Sequence, residues 1–159
     1  MADFKTNVMR VLEKKKIPYS HHEYEHGDTA VDGVTVAALI GRDVSQVFKT
    51  LVTRGASKAN YVFVIPVMGE LDLKKAARSV KEKSIEMIHV DEIYKLTGYV
   101  RGGCSPIGMK KQFKTVFHES ALSLDTIIVS AGKIGYQIEL APKALIDIVR
   151  GDTADLLKD

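Results

Sequence analysis

The sequence predicts an α+β fold in which a curved or barrel-like β-sheet is flanked by helices. Helical and strand patterns are interspersed along the chain, but hairpin signals outnumber βαβ units, which argues against a purely parallel sheet. The 159 residues are 45% hydrophobic and 27% charged, near globular averages and enough to bury a substantial core. No internal repeat, low-complexity stretch or Pro/Gly/Ser linker interrupts the chain, so 1–159 is expected to form a single domain.

Taken in order, Phe4, Val8, Val11 and Leu12 fall at helical spacing behind Asp3, a candidate N-cap, and the first helix is expected to reach about Lys16 before Pro18 stops it. Residues 19–25 read as extended, and 34–40 as a short helix ended by Gly41. Residues 47–54 and 60–67 are β-rich runs joined by Gly55-Ala56-Ser57-Lys58-Ala59, a hairpin signal. Asp72 is placed to cap a helix over 73–80. Residues 84–90 return to strand, and 91–96 form a short helix before Gly98. Strands follow at 115–118, 126–130 and 136–140. Pro142 suits the first turn of a helix over 143–149, which Gly151 ends. The acidic tail 152–159 reads as a solvated end.

Cys104 is the one cysteine, so no disulfide can form within the chain and a reducing, cytoplasmic setting is expected. The opening Met1-Ala2-Asp3-Phe4-Lys5 has neither the basic nor the apolar region of a signal peptide. No apolar run approaches the ~20 residues that span a bilayer, so no membrane partner is expected. The net charge of +3 permits a nucleic-acid partner without demanding one.

Chemistry could sit in a few places. Lys49 lies inside the apolar run Val47-Phe48-Lys49-Thr50-Leu51-Val52, where alternation puts Val47, Lys49 and Leu51 on one face. A lysine in such company either meets an anion or snorkels from an edge strand. The stretch 97–108 holds four glycines, Gly98, Gly102, Gly103 and Gly108, and is either an irregular loop or a backbone cradle for a ligand. Residues 129–136 look like a hairpin turn; the functional alternative uses Ser130 and Gly132 to bind a carbonyl or ribose. No histidine shows a family spacing with Cys104, which reads as passive. His21, His22 and His26 match no zinc pattern, and no metal site is expected. Two basic runs, Lys74 to Lys83 and Lys110, Lys111 and Lys114, suit either solvent or a phosphate backbone, and the second adjoins the glycine stretch.

The segments VFKTLV, LDLKKAA, TGYVRGGCSPIGMKK and VSAGKIGYQIEL occur in that order. Together they resemble the YbaK/EbsC family of freestanding aminoacyl-tRNA deacylases, related to the inserted editing domain of bacterial prolyl-tRNA synthetase. The resemblance runs from the opening helix to Gly151. It implies a partly open, barrel-like mixed sheet flanked by helices, and a hydrolase that cleaves the ester between an amino acid and the terminal ribose of tRNA without a cofactor. The nearest branch clears cysteine from tRNA(Pro), with Cys-tRNA(Cys) as a second candidate; a synthetase that cannot fully exclude so similar a side chain needs a second site.

By position, Lys49 matches the family's active-site lysine, which would bind the terminal phosphate. Gly102 and Gly103 match the loop that approaches the ester, where N–H groups would stabilise oxyanion charge. Ser130 and Gly132 match the pocket wall and Tyr24 a nearby tyrosine; Ser105 and Gln137 complete the expected substrate contacts. Lys110, Lys111 and Lys114 are expected on the tRNA backbone. Gln137 stands where the cysteine-clearing relatives carry an aspartate, and the segment 27–33 is about one residue short by comparison. In those relatives the substrate's own thiol attacks its carbonyl. The partners expected are the acceptor end of mischarged tRNA and prolyl-tRNA synthetase. The alternatives are a tRNA- or synthetase-binding module without catalysis, and a deacylase for alanine or serine.

Overall fold

The computed structural model describes residues 5–25, 27 and 31–159. The fold is α+β, with two open sheets and five α-helices among those residues. Helix α1 spans Asn7–Lys14 and buries Val8, Met9 and Leu12. Its cap is Thr6, whose hydroxyl accepts the Met9 N–H; the expected cap, Asp3, lies outside the described residues. Strand β1 (Ser20–Glu23) leads to α2 (Gly33–Ile40), which Asp32 caps and left-handed Gly41 ends. After a 3₁₀ turn at Val44–Gln46 come the hairpin strands β2 (Phe48–Gly55) and β3 (Asn60–Pro66).

Asp72 caps α3 (Leu73–Ser79) as expected, accepting the Lys74 and Lys75 N–H groups. Strand β4 (Ile85–Met87), helix α4 (Val90–Thr97) and strand β5 (Lys114–His118) follow. A 3₁₀ turn at Glu119–Ser123 leads into the second hairpin, β6 (Ile127–Ser130) and β7 (Tyr136–Leu140). Helix α5 (Pro142–Val149) ends on Arg150, itself left-handed at φ 54°, rather than on the expected Gly151.

The acidic tail is not a solvated end. Asp152–Ala154 forms strand β8, parallel to β5, and Leu156 is fully buried beyond it. Leu156 joins Leu71, Phe63 and Ile65 in one buried cluster, and burial of that kind outweighs the cost of ordering the tail.

One sheet runs β1-β7-β6 and the other β4-β2-β3-β5-β8, antiparallel except for β3–β5 and β5–β8. Among the described residues one parallel bridge, Val47 to Ile128, links them. One face of this curved surface carries Phe48, Val52, Val64, Ile127, Val129, Ile138 and Leu140, packed with residues of α1 and α5 in the main core. The opposite face carries α3 over Phe63 and Ile65, and α2 over Val47 and Ile128. Strand β2 pairs with β3 along its length, but on its other edge the ladder pairing among the described residues is a bridge to β6 at Val47, just before the strand, and to β4 from Thr53 on. The gap between those contacts is why the barrel is partly open, and Lys49 lies in it.

Candidate active site

Strand alternation puts Lys49 on the same face of β2 as Val47, which packs against Ile128 and Ala37. Two residues beyond the Val47–Ile128 bridge, Lys49 and Ser130 reach the same level of the two strands. Ser130 pairs with Gln137 across the β6–β7 hairpin. The Gln137 amide donates to the Ser130 hydroxyl at 3.3 Å, and that hydroxyl donates to the Gly102 carbonyl at 3.3 Å. Lys49 is half-buried, and its side chain has no ion pair or hydrogen bond among the described residues. A cation so placed, at an unpaired strand edge, is set to receive an anion.

The glycine loop docks on the hairpin turn. A Cβ on Gly103 would stand 2.9 Å from the Ile134 nitrogen and the Lys133 carbonyl carbon, so only glycine fits. The Gly103 N–H donates to the Val100 carbonyl at 3.0 Å. The N–H of Gly102, which has φ 90°, has no acceptor among the described residues and is the better placed donor of the pair. Behind the loop the Tyr99 hydroxyl donates to the Ile107 carbonyl at 2.7 Å. The Tyr99 ring also lies 3.1 Å from where a Cβ on Gly132 would be, and the φ of 96° at Gly132 is one that favours glycine. Ser105 is fully buried and accepts the Ile107 N–H, so it shapes its own loop and is not brought to the cluster. Tyr24 is buried just beyond β1, its N–H donating to the Gly135 carbonyl at 3.0 Å.

Cys104 is buried, and burial pushes its thiol up to about 11, so it is protonated near neutrality and no nucleophile. No set of three or more His, Cys, Asp or Glu side chains among the described residues is arranged to hold a metal. His26 lies outside the described residues, as does the middle of the segment 27–33.

Sequence reasoning missed Glu139. It lies on the same face of β7 as Gln137, buried, and accepts hydrogen bonds from His22 at 2.7 Å and Thr126 at 2.6 Å, with Arg42 3.1 Å away. Burial pushes its carboxyl up, but the Thr126 and His22 hydrogen bonds and the Arg42 charge together hold it below its ordinary value. This network ties β1, the end of α2 and β6 together beside the candidate site. Its only trace in the sequence is an acid alternating with apolar residues in the strand 136–140. Of the basic run, Lys111 is exposed, Lys110 lies over the Tyr94 ring at 5.3 Å and Lys114 is 3.9 Å from Asp152.

Comparison with known proteins bears on the family and the fold. The model of the aminoacyl-tRNA editing domain matches residues 28–148. A protein of Enterococcus faecalis, named "Putative Cys-tRNA(Pro)/Cys-tRNA(Cys) deacylase EbsC", is 47% identical over 96% of this chain and 93% of its own. A solved structure described as "a putative trans-editing enzyme for prolyl tRNA synthetase" superposes with TM-score 0.82 at 24% identity, covering 99% of this chain and all of the other. A crystal structure of a hypothetical protein superposes with TM-score 0.85 at 21% identity over 96% of this chain and 100% of the other. At those identities the two structures bear on the fold alone. No helix among the described residues is long and apolar enough to cross a membrane.

Proposed function

We propose, from the premise that the chain belongs to the aminoacyl-tRNA editing domain family, that it is a trans-editing deacylase of mischarged tRNA, with Cys-tRNA(Pro) its main substrate and Cys-tRNA(Cys) a second. The observation that carries this reading is Lys49, a half-buried cation without a partner among the described residues, beside the Ser130–Gly102–Gln137 cluster. The whole chain, 1–159, acts as one editing domain in the cytoplasm, where charged tRNA is used.

In this reading Lys49 binds the phosphate of the terminal nucleotide. Ser130, held by Gln137, fixes the Gly102 carbonyl and so the glycine whose own N–H faces the ester oxygen as negative charge develops. The cysteine thiol of the substrate attacks its own carbonyl. A C–S bond forms, the ester C–O bond breaks, the proton passes to the departing ribose oxygen, and the amino acid leaves as a thiolactone. The protein contributes orientation and electrostatics, which suits a site whose own cysteine is protonated and buried. Gly132 and Tyr24 shape the wall, Lys110 and Lys111 meet the RNA backbone, and prolyl-tRNA synthetase supplies the tRNA selectivity.

The test is loss of the ester from cysteinyl-tRNA(Pro), with seryl- and alanyl-tRNA alongside. Multiple turnovers on the cysteinyl ester, lost in Lys49→Ala and far slower on the other two, support the reading. Equal rates on all three favour an attacking water. Binding without any turnover makes the chain a tRNA-holding module.

A further inference from the structure

We propose that the exposed face of α4 and the start of the glycine loop form a seat for the single-stranded 3′ nucleotides of the RNA. There Tyr94 stacks on a base, and Lys110 with Arg101 and Lys111 meets the phosphates. This rests on the editing reading and extends it from the ester to the nucleotides leading up to it.

Tyr94 is 57% exposed, and Val90, one turn earlier on the same helix face, is 55% exposed. The Lys110 ammonium sits 5.3 Å from the Tyr94 ring centroid. Its backbone is pinned, because the Lys110 N–H donates to the Thr97 carbonyl at 2.9 Å. Its stem crosses Gly98, where a Cβ would stand 3.2 Å from the Lys110 Cγ. Gly98, with φ 84°, therefore both ends α4 and leaves room for the lysine to lie beside the tyrosine.

The same loop that starts under Lys110 ends with Gly103 against Lys133, so the tyrosine–lysine pair and the candidate site are two ends of one short segment. Val100 and Arg101 between them are exposed. Asp91 is the exposed acid one turn before Tyr94, and Lys95, Arg101, Lys110 and Lys111 outnumber it. Glu92 is turned away to Arg54, at 2.9 Å.

An exposed aromatic ring with mobile cations beside it is the arrangement that holds single-stranded nucleic acid without reading its sequence. The flexible lysine stem lets the ammonium exchange the ring for a phosphate when a base arrives. Lys114, drawn toward Asp152 at 3.9 Å, belongs to the β5 edge and not to this seat.

The experiment is fluorescence anisotropy of the full chain with an uncharged RNA hairpin bearing a short single-stranded 3′ overhang, against the same hairpin made blunt. The overhang RNA is expected to bind more tightly. Tyr94→Ala should weaken it by about tenfold, Tyr94→Phe should restore it, and the blunt RNA should be indifferent to both. Lys110→Ala should lower the slope of log affinity against log salt by about 0.7. Equal binding of the two RNAs, no binding of either, or insensitivity to Tyr94→Ala overturns the seat. Because no ester is present, such a failure leaves the deacylase reading standing. Conversely, Tyr94-dependent binding with no ester cleavage would overturn the deacylase and keep the seat.

Discussion

The Ser130 hydroxyl donates to the Gly102 carbonyl at 3.3 Å, joining the end of a strand to a loop 28 positions earlier in the chain. The Gln137 amide donates to the same hydroxyl at 3.3 Å, so one serine sets both the loop and the neighbouring strand's side chain. Ser130→Ala removes both bonds at once and leaves the buried Gln137 amide without this acceptor. The expected cost is about 1–2 kcal/mol in a urea melt. With the Gly102 carbonyl no longer held, ester cleavage should fall by about tenfold or more in single turnovers. Unchanged cleavage in a measurably less stable variant would detach the loop from the chemistry.

Gly103→Ala should act through space alone. The added methyl meets backbone atoms of Lys133 and Ile134 at 2.9 Å, which cannot swing aside as a side chain would. Loss of about 1–3 kcal/mol is expected, from overpacking. Calorimetry showing an unchanged melting temperature would mean that the loop and hairpin separate freely.

Lys49 should show the opposite balance. A half-buried ammonium with no partner among the described residues contributes little to folding and carries a desolvation cost. Lys49→Met is therefore expected to keep or raise the melting temperature while cleavage drops by about 100-fold. A fall in stability matching the fall in activity would make the lysine structural.

Glu139 predicts a pH signature. Its carboxyl is held below its ordinary 4.5 in the folded chain, so its contribution to stability is complete above that value. That contribution is lost as pH falls through the lower, folded value. Glu139→Gln should cost about 1–3 kcal/mol near pH 7, and the variant should lose less further stability than the parent on acidification below about pH 4.5. Parallel acid limbs for the two proteins would assign the acid sensitivity to other carboxylates.

Much of the fold was legible because its signals are local. Asp72, Gly41 and Pro142 each act on the dihedrals and orphan N–H groups of their own turn, and the structure has helices where they mark them. Both hairpins, β2–β3 and β6–β7, follow from β-rich runs that are short of intervening chain. At the site, the motifs place Lys49, Gly102, Ser130 and Gln137 in order along the chain, and the structure brings the last three into one hydrogen-bonded chain.

By itself, then, the sequence determined the element types, the turns and the family pattern, because propensity and periodicity act within a few residues. The tertiary structure alone decided that residues 152–154 form a strand beside β5, that Thr6 caps α1, and that Arg150 takes the left-handed turn before Gly151. It alone joined Glu139 to His22 and Arg42, and laid Lys110 over Tyr94. Those outcomes depend on which surfaces are left to bury and which charges come within hydrogen-bonding reach. Such distances exist only once the chain has closed on itself.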